Sequence, residues 1–232
     1  MDRAHRRELK HDKFVEQVGH SLEFAADHRS QVMKYGGIAL AVLVLAAGWY
    51  FYSNHQKAAR QQALRDAMRV QGAQIGAAGN EFMMSFPTQE EKEKAVEKAF
   101  NDVANKYSGS DEGLIARYFL GISAADKGNI SEAEKHFKAV ADSADAPYAS
   151  QAKLSLAQIY EATGRIADAE KLLRSLVDNP TVLVSKEQAT IALGRLLAKS
   201  KPADARKLLE PLRTERGPVS RAALTALGEI NR

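Results

Sequence analysis

Three segments of this chain repeat one pattern at a spacing of 36 residues. They read EAEKHFKAV, DAEKLLRSL and DARKLLEPL, and they begin at residues 132, 168 and 204. The residues that coincide under this shift are Ala133, Ala169 and Ala205, then Phe137, Leu173 and Leu209, and then Val140, Leu176 and Leu212. A period in the mid-thirties, with small and large apolar residues in register, is typical of a solenoid built from helical hairpins.

A second helical stretch precedes each of these segments, and Gly128 and Gly164 lie in the turns between the two. The middle unit resembles a tetratricopeptide repeat, because Tyr160, Gly164 and Ala169 fall at the positions of that repeat's consensus. Residues 220–232 fit a last unpaired capping helix. The sequence therefore predicts an all-α fold, in which a tetratricopeptide-like helical-hairpin solenoid follows a single N-terminal transmembrane helix.

The transmembrane helix is predicted from residues 35–52, YGGIALAVLVLAAGWYFY, which contain no charged side chain. At about 1.5 Å per residue, an 18-residue helix is about 27 Å long. This is close to the hydrocarbon thickness of a bilayer, about 30 Å. Lysine and aromatic side chains at the ends of such a segment are typical membrane-interface anchors. The candidate anchors are Lys34, Trp49, Tyr50 and Tyr52.

Two other interpretations compete for this segment. A soluble core helix rarely lacks charge over so many residues. A cleaved signal peptide has a short charged region first, whereas 34 residues come before this segment. LAAG at its end resembles a lipoprotein cleavage box, but Gly48 stands where the lipidated cysteine belongs. An uncleaved span is the prediction.

Charge sets the predicted orientation only weakly. The tail before the span is short and basic, which favours a cytoplasmic N-terminus. Lys57, Arg60, Arg65 and Arg69 follow the span and oppose this assignment. Long C-terminal domains cross membranes largely regardless of their charge. We therefore expect a cytoplasmic N-terminus, and the inverted topology stays open.

Four regions follow from these patterns. Apolar residues at helical spacing in the tail, Phe14, Val18, Leu22 and Ala25, predict a short amphipathic helix, and a partly disordered tail is the alternative. A capping box at Thr88 and Glu91 predicts the start of the first helix after Pro87. The predicted regions are a cytoplasmic tail over 1–34, the transmembrane helix over 35–52, a membrane-proximal helix and linker over 53–87 with the helix ending near Gly76 to Gly79, and the repeat domain over 88–232.

Catalytic and metal-binding motifs are missing from the sequence. It contains no P-loop, no dinucleotide-binding glycine fingerprint, no Gly-x-Ser-x-Gly elbow and no cysteine. The six histidines do not stand at metal-ligand spacings, and we expect His136 to occupy a solvated helix position. The net charge of +4 is spread along the chain, unlike the basic stripe of a nucleic-acid binder. The sequence thus predicts no enzyme activity, cofactor, metal site or nucleic-acid partner.

A helical solenoid instead offers a concave surface, lined by the first helix of each hairpin, to other proteins. With the small position of each repeat set at Gly121, Ala157 and Gly194, several side chains are expected to point into this surface. The candidates are Tyr118, Ile122, Gln151, Gln158, Gln188 and Arg195. Alternatively, each of them only packs locally or faces solvent.

The order of a basic tail, one span ending in aromatic residues and a compact repeat domain resembles a known family. The junction GWYFYSNHQ over residues 48–56 is its most characteristic piece. The family comprises bacterial inner-membrane tetratricopeptide-like proteins typified by YfgM, the ancillary subunit of the SecYEG translocon. The resemblance implies a single-pass inner-membrane protein with a periplasmic C-terminal domain, and translocon subunits and periplasmic chaperones as partners.

Two leading functional hypotheses follow from the sequence, and the inverted topology adds a cytoplasmic regulatory adaptor as a further possibility. The first is a membrane-anchored scaffold that binds other proteins, an ancillary translocon subunit that links secretion to periplasmic chaperones. The second is a cell-envelope or division-coordinating tetratricopeptide adaptor that does not associate with the translocon. Both need a protein-binding surface on the repeats, so the groove candidates matter to either.

Overall fold

The computed structural model describes residues 29–76, 84–143 and 148–230 of the 232-residue chain. The amphipathic helix predicted in the tail lies outside the described residues. The chain divides into two compact units, Met1–Ala58 and Ala59–Arg232. The first contains the apolar segment over residues 35–52, and the second contains the repeats.

Helices form most of the described structure, which confirms the all-α prediction. Their bounds are α1 (Arg29–Gln71), α2 (Gln89–Lys106), α3 (Asp111–Asp126), α4 (Ile130–Ala141), α5 (Ala149–Ala162), α6 (Ile166–Asp178), α7 (Lys186–Leu197), α8 (Pro202–Leu209), a short 3₁₀ helix (Glu210–Thr214) and α9 (Pro218–Ile230). Each of the helices α2 to α8 packs against the next along the chain, and α9 packs on α7, α8 and the 3₁₀ helix.

Helix α1 includes the whole predicted span, and it stops earlier than the sequence suggested. We expected its end near Gly76 to Gly79, but it ends at Gln71. The chain then forms a two-residue strand, β1 (Gln74–Ile75), which pairs in parallel with β2 (Ser85–Phe86). The N–H of Gln74 donates to the Met84 carbonyl at 3.0 Å, and this pairing draws the chain out of the helix.

The first helix after this pair begins as the capping box predicts. The Thr88 hydroxyl accepts a hydrogen bond from the backbone N–H of Glu91 at 3.2 Å, at the start of α2. The turn between α2 and α3 is short. Ser110 caps α3 by accepting from the N–H of Gly113, so the chain is helical again from Asp111.

Within each hairpin, a small residue of the first helix faces a large residue of the second. A Cβ added to Gly121 of α3 would lie 2.7 Å from the Phe137 ring, and one added to Gly194 of α7 would lie 2.6 Å from Cγ of Leu209. These large residues fill the space inside their own hairpin, because the glycine lets the two helices approach closely.

The third hairpin departs from the repeat after Leu209. Pro211 lies in the 3₁₀ helix, and Leu212, the counterpart of the buried Val140 and Leu176, is only half-buried there. A proline cannot donate the backbone hydrogen bond that continues an α-helix. Helix α9 covers the end of the solenoid instead, and its Ala226 packs with Leu209.

Ion pairs that the sequence analysis missed connect successive hairpins. Arg165, in the turn after α5, donates two hydrogen bonds to the Glu134 carboxylate of α4, at 2.8 and 2.6 Å. Lys201, in the turn after α7, donates to Glu170 of α6 at 2.9 Å. These two pairs are related by the 36-residue repeat. They link each turn to the second helix of the preceding hairpin, and so help to fix the stacking of the hairpins.

Candidate protein-binding groove

A groove of about 350 Å³ lies on the surface formed by α5, α7 and α9. Apolar side chains form most of its wall, and neutral polar side chains lie among them. The lining residues are Leu154, Gln158, Ser185, Gln188, Ile191, Ala192, Arg195, Pro218, Val219 and Ala222. An apolar cleft with a few polar groups is the usual form of a binding site.

Three of the six predicted concave-surface residues line this groove. Gln158 lies on α5, while Gln188 and Arg195 lie two turns apart on α7, and all three side chains are exposed. The Ser185 hydroxyl caps α7 by accepting from the N–H of Gln188, which fixes the start of this helix beside the groove. The side-chain amides of both glutamines can donate and accept hydrogen bonds, as a peptide backbone does.

The structure places the other three candidates elsewhere. Tyr118 belongs to an aromatic cluster, with ring centroids 4.9 Å from Tyr148 and 5.6 Å from Phe137. Burial raises the pKa of the Tyr118 phenol. Gln151 donates to the Leu183 carbonyl at 2.9 Å, and so helps to hold the loop between α6 and α7. Tyr118 and Gln151 therefore have packing partners within the chain.

Ile122 lines a second cavity, of about 510 Å³, between α2 and α3. Charged side chains make up much of that wall. They are Lys92, Glu93, Asp126 and Lys127. Four of the six predicted residues thus line one of these two cavities, and the more apolar cavity contains Gln158, Gln188 and Arg195. Tyr118 and Gln151 line neither of the two.

Helix α9 contributes residues to the groove that sequence reasoning did not anticipate. Pro218, Val219 and Ala222 lie in its first turns and form one wall. The sequence marked this region only as a capping helix. Its contribution could have been predicted from its position in the chain. Helix α9 follows the third hairpin, where the first helix of a fourth repeat would lie.

The prediction of a solvated His136 was wrong. Its side chain is only 15% exposed, and its buried Nδ1 has no hydrogen-bond partner in the described structure. Burial lowers the pKa of this imidazole. The described residues contain no group of three or more histidine, aspartate or glutamate side chains placed to hold a metal ion.

Outside the repeats, α1 is the one helix among the described residues that is long and apolar enough to cross a membrane. Its most apolar 18-residue window has a mean hydropathy of 1.7 and no buried residue. The predicted interface residues Lys34, Trp49, Tyr50 and Tyr52 are all exposed on it. The rings of Trp49 and Tyr52 lie 6.4 Å apart on one side of the helix.

Comparison with known families identifies the repeats. Residues 32–207 match the family model described as a tetratricopeptide repeat-like domain, which covers well over half of the chain. This chain belongs to the tetratricopeptide repeat-like domain family. The matched residues include the apolar segment as well as α2 to α7.

Solved tetratricopeptide-like repeats share this fold. Two crystal structures of nearly identical repeats, from a Podosopora anserina protein described as a kinesin light chain, superpose with TM-scores of 0.52 and 0.53. The second is a Q17M variant. Each is 18% identical and covers 73% of this chain and 84% of its own. No curated protein matches this sequence.

Proposed function

We propose that this protein is a membrane-anchored scaffold that binds other proteins through its tetratricopeptide-like repeats. The observation that supports this most is that one chain has both an apolar groove on its repeats and a helix segment that exposes an uncharged, largely apolar run of side chains. Repeats of this kind stack into extended surfaces that bind proteins. An exposed segment of about 18 apolar residues is stable in lipid and costly in water.

In this proposal, residues 35–52 cross the bacterial inner membrane once. The tail over 1–34 stays in the cytoplasm, and residues 53–87 connect the span to a periplasmic repeat domain over 88–232. The short basic tail and the resemblance to inner-membrane tetratricopeptide-like proteins support this orientation. Lys34 on one side, and Trp49, Tyr50 and Tyr52 on the other, then lie at the two membrane interfaces.

A reporter enzyme fused to the C-terminus tests the orientation. Alkaline phosphatase, which folds only in the periplasm, should be active in this fusion, and a cytoplasmic reporter at the same place should be inactive. The reverse pattern would place the repeats in the cytoplasm and would contradict a role near periplasmic chaperones.

The proposed partners are translocon subunits and periplasmic chaperones that receive secreted proteins. A photoreactive amino acid at Gln188, on the rim of the groove, should crosslink to them in intact membranes. The matched control is Lys171, an exposed position on the second helix α6. The same crosslinks from both positions would show that the groove is not the binding surface.

The alternative is a cell-envelope or division-coordinating adaptor that does not associate with the translocon. Imaging separates the two proposals. An even distribution over the membrane, together with translocon crosslinks, supports the first proposal, whereas a ring at midcell supports the second.

A further inference from the structure

The apolar groove contains almost no net charge. Among the described residues that line it, Arg195 is the one ionisable side chain. Its Nε lies 3.8 Å from Oε2 of Glu229 on α9, and each side chain is about half exposed, at 46% and 48%. An opposite charge at this distance partly offsets the field of Arg195 in the groove. A ligand in the groove therefore meets apolar wall, neutral amides and one cation that already has a counterion.

The second cavity provides the contrast within the same domain. Four of its lining side chains are ionisable, two acidic and two basic. Such a wall can pair with charges of either sign on a ligand. In the apolar groove, a ligand charge would lose water against an apolar wall. Because Arg195 and Glu229 are already each other's counterions at 3.8 Å, neither sign of charge finds an unused partner there.

We infer that the apolar groove selects uncharged, apolar peptide segments, and that Arg195 and Glu229 together determine this selectivity. The inference rests on the proposed protein-binding function of the groove. Its volume of about 350 Å³ suits a few aliphatic side chains of one segment, and Gln158 and Gln188 can hydrogen-bond to the peptide backbone. A stretch of apolar residues from an unfolded or membrane-inserting chain has this chemistry.

Each member of the pair excludes one sign of charge. Glu229 disfavours a ligand carboxylate that approaches Arg195, because the two carboxylates would share one guanidinium. Arg195 disfavours a ligand ammonium in the same way. Removing one member should therefore relax only the discrimination against ligands that carry the same sign of charge as the removed side chain. This behaviour separates a specificity pair from a general contact.

The test uses the full chain in detergent micelles and three fluorescent peptides of about twelve residues, which are about 18 Å long as helices. One contains Leu, Ala and Gln with blocked ends, and the other two replace its central Gln with Glu or with Lys. Fluorescence anisotropy gives the three affinities. We expect the native protein to bind the neutral peptide about three- to tenfold more tightly than either charged one.

Glu229→Gln should remove the discrimination against the Glu peptide and keep that against the Lys peptide, while Arg195→Gln should do the reverse. Asp102→Asn on α2 makes the same kind of charge change outside the groove and should keep the native ratios. Thermal melting checks that each variant folds. Ala192→Phe, which fills the groove, should weaken binding of the neutral peptide.

Two failures have different meanings. If the native protein binds all three peptides equally, or if Glu229→Gln leaves the ratio of acidic to neutral peptide unchanged, the selectivity inference is wrong and peptide binding stands. If no peptide binds, or if Ala192→Phe binds as well as the native protein, the groove itself is not the peptide site, and the proposed binding surface fails with it.

Discussion

Leu43 and Leu173 are the same residue in opposite surroundings. Leu43 lies in the middle of the apolar part of α1 and is 65% exposed, whereas Leu173 on α6 is 3% exposed. In α6, charged residues lie between the apolar ones, so the helix has one face for the core and one for water. Residues 35–52 of α1 have no charged face at all. Neighbouring helices stabilise the first pattern, whereas the second is the pattern on which the proposed membrane span rests.

The largest effect should come from a charge in the repeat core. Leu173→Asp places a carboxylate among Ala157, Leu193 and Leu197, which belong to the same cluster. The loss of packing and the burial of a charge should together cost at least about 4 kcal/mol, a large part of a domain's stability. Thermal melting should show that the repeats unfold cooperatively or fail to fold. The control is Leu224→Asp on α9, where the leucine is 51% exposed and the melting temperature should change little.

A charge in the apolar part of α1 should act on membrane insertion and not on the repeats. An aspartate near the centre of a span costs about 3 kcal/mol of insertion free energy. Leu43→Asp should therefore increase the fraction of protein released from membranes by alkaline extraction and leave the melting of the repeats unchanged. Ala58→Asp, which lies on α1 beyond the span, should extract like the native protein. Equal extraction of all three proteins would contradict the proposed anchor.

A smaller effect should follow from filling the close contact between α7 and α8. Gly194→Ala adds a Cβ at 2.6 Å from the Leu209 side chain, so this buried side chain or its helix must shift, at a cost of about 1–3 kcal/mol. The matched control is Gly228→Ala on α9, where nothing lies within 4 Å of the new Cβ, and where alanine should stabilise the helix by about 0.5–1 kcal/mol. A melting temperature that rises in both variants would show that the small residue is not needed for hairpin packing.

The smallest effect concerns the ion pairs between hairpins and depends on pH. Hydrogen bonds from Arg165 and Lys201 hold the carboxyl pKa values of Glu134 and Glu170 below the ordinary value of 4.5. A lowered folded pKa stabilises the protein above the ordinary value, and this stabilisation is lost as pH falls through the folded pKa. Exposed pairs contribute little, so we expect a shift of a few degrees at most.

Melting curves at about pH 7 and about pH 3.5 measure this contribution. The double variant Arg165→Met and Lys201→Met should melt slightly below the native protein at the higher pH, and the difference should shrink at the lower pH. Lys171→Met, on the exposed face of α6, should keep the native pH dependence. A difference that stays the same at both pH values would mean that the charges contribute nothing.

The repeat spacing predicted the packing of the hairpins well, because the same small and large residues recur at fixed positions. Ala133, Ala169 and Ala205 are all fully buried, as a close approach of helices requires. The ion pairs were also readable, since Glu134 and Arg165 recur as Glu170 and Lys201 at the same shift. They were missed because charged residues on helices usually face solvent, and only the stacking of hairpins brings residues 31 positions apart into contact.

The groove was only partly predictable. Gln158, Gln188 and Arg195 follow from the position of the first helices, since side chains on one face of a helix recur every three or four residues. Tyr118 and Gln151 satisfy the same rule. In the folded chain, however, Tyr118 packs against the Tyr148 ring, and Gln151 donates a hydrogen bond to the Leu183 carbonyl. The wall formed by α9 depends on where this last helix packs against the repeats. The sequence of α9 alone does not predict that position.

By itself, the sequence determined the repeat, its helices and the apolar segment, because these depend on the order of residue types along one helix. The tertiary structure decided which concave residues stay accessible, that Pro218, Val219 and Ala222 complete the groove, and that Glu229 faces Arg195. Those features depend on contacts between helices that are distant in the chain. The distances between these helices are set by packing, which is the result of many small interactions between distant residues, and no local sequence pattern contains them.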